Sequence, residues 1–200
     1  MTLDRYRSVA VGALQPFVRA AIRFGLTPDA VSVIAFVLAI GGGVAFAVGG
    51  PWYLVGAVLV AANGWLDLLD GELARALETA SAGGDLLDHV LDRYADVILV
   101  AGLATGIGRY ALGFAAVTGV LLTSYLGTQA EAVGLDRVYG GVLGRGDRLV
   151  LIAAVGVLMP VVRLPGPLSL VGWLLVLFAI VGHATALQRF YYARRALQRD

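Results

Sequence analysis

The chain has 200 residues, 59% hydrophobic and 14% charged, with a formal net charge of +1 and a mean hydropathy of +0.83. That bias lies well above a soluble domain and reads as a multi-span membrane protein, with membrane lipids as surroundings and no nucleic-acid partner expected. Cysteine is absent, which excludes disulfides, thiolate catalysis and Cys-based metal sites.

The opening "MTLDRYRSVAVGALQPFVRAAIRFGL" lacks the clean apolar core and small-residue cleavage site of a signal peptide. Residues 1–26 read instead as an amphipathic helix lying on the membrane surface, its arginines in the headgroup layer. Next comes "LTPDAVSV", in which Thr27 suits an N-cap and Pro28 a first helical turn. Six apolar segments follow, at 30–48, 51–66, 94–108, 110–130, 149–162 and 168–187. A span needs about 20 apolar residues, so the second and third must belong to longer helices that reach into water. Gly and Pro punctuate the connections, as in "VGGPWY", "SAGGD", "YGGVLGRGDR" and "RLPGP". Glycines inside the spans suit close helix packing in lipid. No compositional break divides the chain. The expected architecture is therefore an all-α integral membrane protein, a single domain over 1–200, with residues 27–200 forming a bundle of six transmembrane helices.

All 15 basic residues are Arg, which we attribute mainly to codon composition. With six spans, one side collects Arg5, Arg7, Arg19, Arg23, Arg75, Arg93, Arg137, Arg145, Arg148, Arg189, Arg194, Arg195 and Arg199, and the other only Arg109 and Arg163. The positive-inside rule makes the first side cytoplasmic, in a cell membrane.

Two stretches at that side carry the chemistry: "DLLDGELAR" ending the second helix and "GGDLLDHVLDRYAD" opening the third. Asp67 and Asp70 are three apart and share a helix face, as do Asp88 and Asp92, four apart; Asp85 and Asp96 extend the second stripe. Like charges crowded at low dielectric repel unless a divalent cation neutralises them, and carboxylates without Cys favour Mg²⁺, Mn²⁺ or Ca²⁺. A merely solvated helix face would ordinarily mix in Lys or Glu. Gly71 and Ala74 leave room for a bulky ligand, and Arg75 offers a planar fork for phosphate. Acids for metal, small residues for access and Arg for phosphate together point to a metal–nucleotide diphosphate site.

The stretch 67–92 resembles the signature of the CDP-alcohol phosphotransferase family. Asp67, Asp70, Gly71, Ala74, Arg75, Gly84, Asp88 and Asp92 keep every spacing of that signature, eight identities over 26 residues. The six-span layout and the amphipathic N-terminal helix are similar to the family too. The resemblance implies that Asp67, Asp70 and Asp88 bind Mg²⁺ or Mn²⁺, which holds the diphosphate of a CDP-activated lipid. Asp92 is then the catalytic base and touches a metal as well. Gly71, Ala74, Arg75 and Gly84 would line the cytidine and phosphate pocket. The Thr-Pro segment would cover the nucleotide, with Pro28 and Asp29 bordering it; plain helix initiation is the other reading of those two residues. A homodimer is also implied.

On the acceptor side, Arg145 and Arg148 stand three apart in a Gly-rich turn beside the acids, placed to clamp a phosphate, with Arg189 a third candidate. Arg194, Arg195 and Arg199 read as markers of the membrane edge. This region resembles the phosphatidylinositol-phosphate and archaetidylinositol-phosphate synthase branch, whose acceptor is inositol phosphate. One departure is that Gly127 and Gln129 follow the Ser-Tyr pair of "SYLGTQAEAVG" where bacterial members carry basic residues, although Gln129 and Glu131 suit polyol hydroxyls. Glycerol phosphate is the main alternative acceptor. His89 reads as packing beside the site, and Trp52, Trp65 and Trp173 as interfacial or packing aromatics. The choice between diacyl and diether lipid is open, since tails meet generic apolar surface. A different class, a divalent-cation carrier, would place acids near mid-membrane on several separate helices.

Overall fold

The computed structural model describes residues 7–135 and 143–198, and within them every regular element is an α-helix. In chain order these are α1 (Arg7–Arg23), α2 (Pro28–Val48), α3 (Trp52–Ala76), α4 (Ala82–Gly106), α5 (Tyr110–Ala132), α6 (Arg145–Leu158) and α7 (Leu170–Leu197). Arg5, Arg137 and Arg199 lie outside the described residues.

Helix starts follow local chemistry. Thr27 Oγ1 accepts from the Ala30 amide at 3.2 Å, with Pro28 at the first helical position. Ser81 Oγ caps α4 through the Gly84 amide at 3.1 Å, and Ser169 caps α7 through Gly172 at 3.3 Å. In each case a side-chain oxygen satisfies an amide that has no intrahelical partner. At α6, which lacks a hydroxyl at its cap, the Asp147 carboxylate accepts from the Gly144 amide at 2.9 Å.

The main core threads α2 to α7 through Phe46, Tyr53, Val60, Leu99, Leu103, Val120, Ile152, Leu175 and Phe178. Glycine permits close crossings, among them those of α2 with α4 and of α5 with α7. A Cβ on Gly43 of α2 would stand 2.8 Å from the Ile98 carbonyl oxygen of α4, and one on Gly182 of α7 would stand 2.7 Å from the Gly119 carbonyl carbon of α5. Backbones thus approach closely, as suits packing in lipid, where dispersion rather than water exclusion drives association. A smaller cluster joins Leu14, Val18 and Ala21 of α1 to Val31, Leu69 and Leu73, with Phe17 edge-on to Trp65 at 5.4 Å. The N-terminal helix therefore seats one apolar face on the ends of α2 and α3, while Phe17, Ile22 and Phe24 stay exposed.

Among the described residues four helices are long and apolar enough to cross a membrane: α2, α3, α5 and α7. The expectation of six spans exceeds that count, for two physical reasons. α4 is as long as α3, at 25 residues, but carries Asp85, Asp88, Asp92, Arg93 and Asp96 between its first turn and just past its middle. The 14 residues of α6 fall short of a full span.

Candidate active site

α3 and α4, joined through residues 77–81, both pack on α2, and their two acidic stripes border one cleft beside it. Asp67, Asp88 and Asp92 each offer a carboxylate oxygen, and these oxygens lie within 4.8 Å of one another. Three carboxylates at that spacing, without Cys or His, form an all-oxygen donor set of the kind hard divalent ions take. Asp70 borders the same cleft but stands apart from the triad. It is 7% exposed, and its Oδ2 accepts from Ser32 Oγ of α2 at 2.6 Å. Asn63, a turn before Asp67, donates through Nδ2 to the Ala35 carbonyl at 2.8 Å. Its buried Oδ1 has no partner among the described residues.

The residues expected around the nucleotide gather at the same end of the bundle. Gly71 and Ala74 continue α3 beyond the acids, and the exposed Arg75 pairs with Glu72 a turn back. Gly84 lies beside the start of α2, where a Cβ on it would stand 3.4 Å from Asp29 Oδ1. Pro28 and Asp29 thus serve helix initiation, and Asp29 also adjoins Gly84 of the motif.

Next to the acidic cleft opens a cavity of about 710 Å³ between α4, α5, α6 and α7. Asp92 and Arg145 line both spaces. Arg145 is anchored to Asp67 and reaches Asp92 Oδ1 at 2.7 Å. Arg148 turns deeper, donating to Asp96 Oδ2 at 2.8 Å, and Arg189 Nη1 donates to the Thr123 carbonyl at 2.7 Å. All three arginines named from the sequence line the cavity. Gln129 and Glu131, offered for polyol hydroxyls, are exposed on the last turn of α5 and are not among its lining residues.

Sequence reasoning missed several participants. Arg93 lines the cavity, donates to Ser124 Oγ of α5, and stands 3.6 Å from both Asp92 and Asp96. Asp96 is 4% exposed, and a carboxylate buried so deeply needs the two guanidiniums it has. Its place on the acidic stripe was visible; its partnership with Arg148 on α6 was not, because 52 residues separate them. Ser32 had one faint signal, its position a turn after Pro28 in the Thr-Pro segment. The Nε atoms of Arg93, Arg145 and Arg148 are buried without a partner among the described residues. Four guanidinium-bearing side chains, Arg93, Arg145, Arg148 and Arg189, line this one cavity, a wall chemically suited to an anion.

Comparison with known proteins agrees with this geometry. The family model for CDP-alcohol phosphatidyltransferase matches residues 25–182. The chain is 30% identical to an archaetidylinositol phosphate synthase of Methanothermobacter thermautotrophicus, covering 98% of this chain and 96% of that one. It is 34% identical to a phosphatidylinositol phosphate synthase of Mycolicibacterium smegmatis, over 94% of this chain and 86% of the relative. Among solved structures it is similar to the Mycobacterium tuberculosis phosphatidylinositol phosphate synthase with CDP-DAG bound, with a TM-score of 0.78 and 27% identity over 90% of this chain and 92% of the other. The same enzyme in complex with manganese and citrate matches with a TM-score of 0.78 and 26% identity, over 90% of this chain and 88% of the other. With the family model spanning both acidic stripes and most of the helical bundle, the chain belongs to the CDP-alcohol phosphatidyltransferase family, and is an enzyme of that reaction class.

Proposed function

We propose that this enzyme transfers the phosphatidyl or archaetidyl group of a CDP-activated lipid to a hydroxyl of inositol phosphate, releasing CMP. The observation that carries the reading is the position of Asp92, shared between the acidic cleft and the arginine-lined cavity. The names of the relatives favour inositol phosphate over glycerol phosphate. Membership in a transferase family sets the cation-carrier reading aside.

Asp67, Asp88 and Asp92 would together hold Mg²⁺ or Mn²⁺, with Asp70, at the border of the same cleft, a fourth ligand. When bound, the ion offsets the diphosphate charge and stabilises CMP as a leaving group. Gly71, Ala74, Arg75 and Gly84 leave space for cytidine and meet its phosphate, with Pro28 and Asp29 closing the side. Arg145, Arg148 and Arg189 hold the acceptor's phosphate in the larger cavity, which turns its hydroxyl toward Asp92. Asp92 takes the hydroxyl proton while that oxygen bonds to the lipid-bearing phosphorus. The bond from phosphorus to the CMP oxygen breaks, and CMP leaves with the electron pair.

Support for the remaining topology is compositional. α4 and α6 complete six spans if the charged half of α4 stands at the cytoplasmic edge, and the arginine distribution sets the site on that face of the cell membrane. The interfacial α1 and a homodimer rest on amphipathicity and on the family resemblance respectively. The reading is tested by incubating the purified chain with CDP-lipid, Mg²⁺ and radiolabelled acceptors, following CMP release and chromatographing the lipid product. Inositol phosphate should be used well ahead of free inositol. Preferential use of glycerol phosphate, or equal use of a free alcohol, would overturn the acceptor assignment.

A further inference from the structure

We propose that Gly127 is a positioning residue for the acceptor end of the site, seating the Arg189 guanidinium in the cavity wall by having no side chain of its own. The inference rests on the acceptor-phosphate reading above. Gly127 lies inside the 23-residue α5, where glycine weakens a helix relative to alanine. A cost of that kind in a buried position calls for a compensating reason. Close helix crossing is not that reason, because among the described residues no backbone from another helix approaches. A Cβ on Gly127 would stand 2.7 Å from Arg189 Nη1 and 3.8 Å from its Cζ, and beyond its own helix would meet no other described residue within 4 Å. The space a side chain would fill is therefore taken by a cation arriving from α7. Arg189 Nη1 uses it to donate to the Thr123 carbonyl at 2.7 Å, one turn earlier on α5. Gly127, Thr123 and Arg189 all line the cavity that also holds Arg145 and Arg148. Glycine here fixes where the third guanidinium stands relative to the other two.

The test is Gly127→Ala in the full-length chain. The added methyl meets only the far end of a flexible side chain, so the helix keeps its fold and gains propensity. Thermal stability should stay level or rise, and the KM for CDP-lipid should stay level. The KM for inositol phosphate should rise about tenfold, the loss expected when one charge-assisted contact is misdirected. On an Arg189→Gln background the same substitution should leave the acceptor KM unmoved, since the group it displaces is gone. An unchanged acceptor KM in Gly127→Ala, an equal effect on both backgrounds, or a protein that loses CDP-lipid turnover or folding would each overturn the proposal. The unmutated enzyme separates the two layers. If it does not prefer inositol phosphate to free inositol, the acceptor reading itself falls; if it does and Gly127→Ala is silent, only the role of Gly127 falls.

Discussion

Asp92 faces two demands that pull in opposite directions. A base must be free to take a proton, yet this carboxylate lies among Asp67 and Asp88 and within 2.7 Å of Arg145. Its position on α4, one turn beyond Asp88, lets it face the acidic cleft and the arginine-lined cavity together. Asp92→Asn keeps the size and the hydrogen bonds but cannot accept a proton. Turnover measured by CMP release should fall by about two to four orders of magnitude, while CDP-lipid binding, followed separately, largely survives. Near-normal turnover would remove Asp92 from the base role. The four acids were legible in the sequence because three- and four-residue spacing is enough to put side chains on one helix face. Ser32 was not, because its tie to Asp70 joins positions 38 residues apart and depends on how α2 packs against α3.

At the scale of elements, α6 delivers two arginines with different partners from a single turn. Arg148 is committed to Asp96, whereas Arg145 spans Asp67 and Asp92, two of the three carboxylates placed to share an ion. Arg145 therefore competes with a divalent ion for oxygen ligands and also belongs to the acceptor cavity. Arg145→Gln should raise the acceptor KM by about tenfold and lower the Mg²⁺ concentration that gives half-maximal rate. Titrating each substrate and the metal separately checks both directions; a higher Mg²⁺ requirement would contradict the competition. The sequence placed Arg145 beside an acidic cavity but did not reveal this pairing, since a Gly-rich turn leaves the side chain's direction undetermined. The helices themselves were readable: each of the six apolar segments falls mainly within one of α2 to α7. One start was read from its hydroxyl cap, at Thr27, whereas the equivalent caps at Ser81 and Ser169 emerge only in the structure. What composition left open is whether α4 and α6 cross, because the charges needed for chemistry on α4 lower the very hydropathy by which a span is recognised.

For the whole molecule, the distribution of charge and the substrate's split character fit one arrangement. A CDP-lipid is half hydrocarbon and half nucleotide, so its reacting phosphorus belongs at the boundary between membrane and water. The acids and the cavity arginines stand at one end of the bundle. Arg109, at the opposite turn, approaches the Pro167 carbonyl at 3.5 Å, which brings the α4–α5 and α6–α7 connections together at the other end. Among the described residues that end holds only Arg109 and Arg163 of the arginines, and the positive-inside rule predicts that it faces away from the cytoplasm. The absence of cysteine makes the arrangement directly testable, since single thiols can be introduced without first removing others. Thr79, exposed between α3 and α4, and Pro165, exposed between α6 and α7, report on the two ends. In sealed right-side-out vesicles a membrane-impermeant maleimide should modify Pro165→Cys at once. Thr79→Cys should react only after detergent opens the membrane, because the exposed thiol is reactive wherever water and reagent reach it. The reverse pattern would invert the orientation. Labelling of both thiols in intact vesicles would show that the two connections share a side, which six crossings forbid.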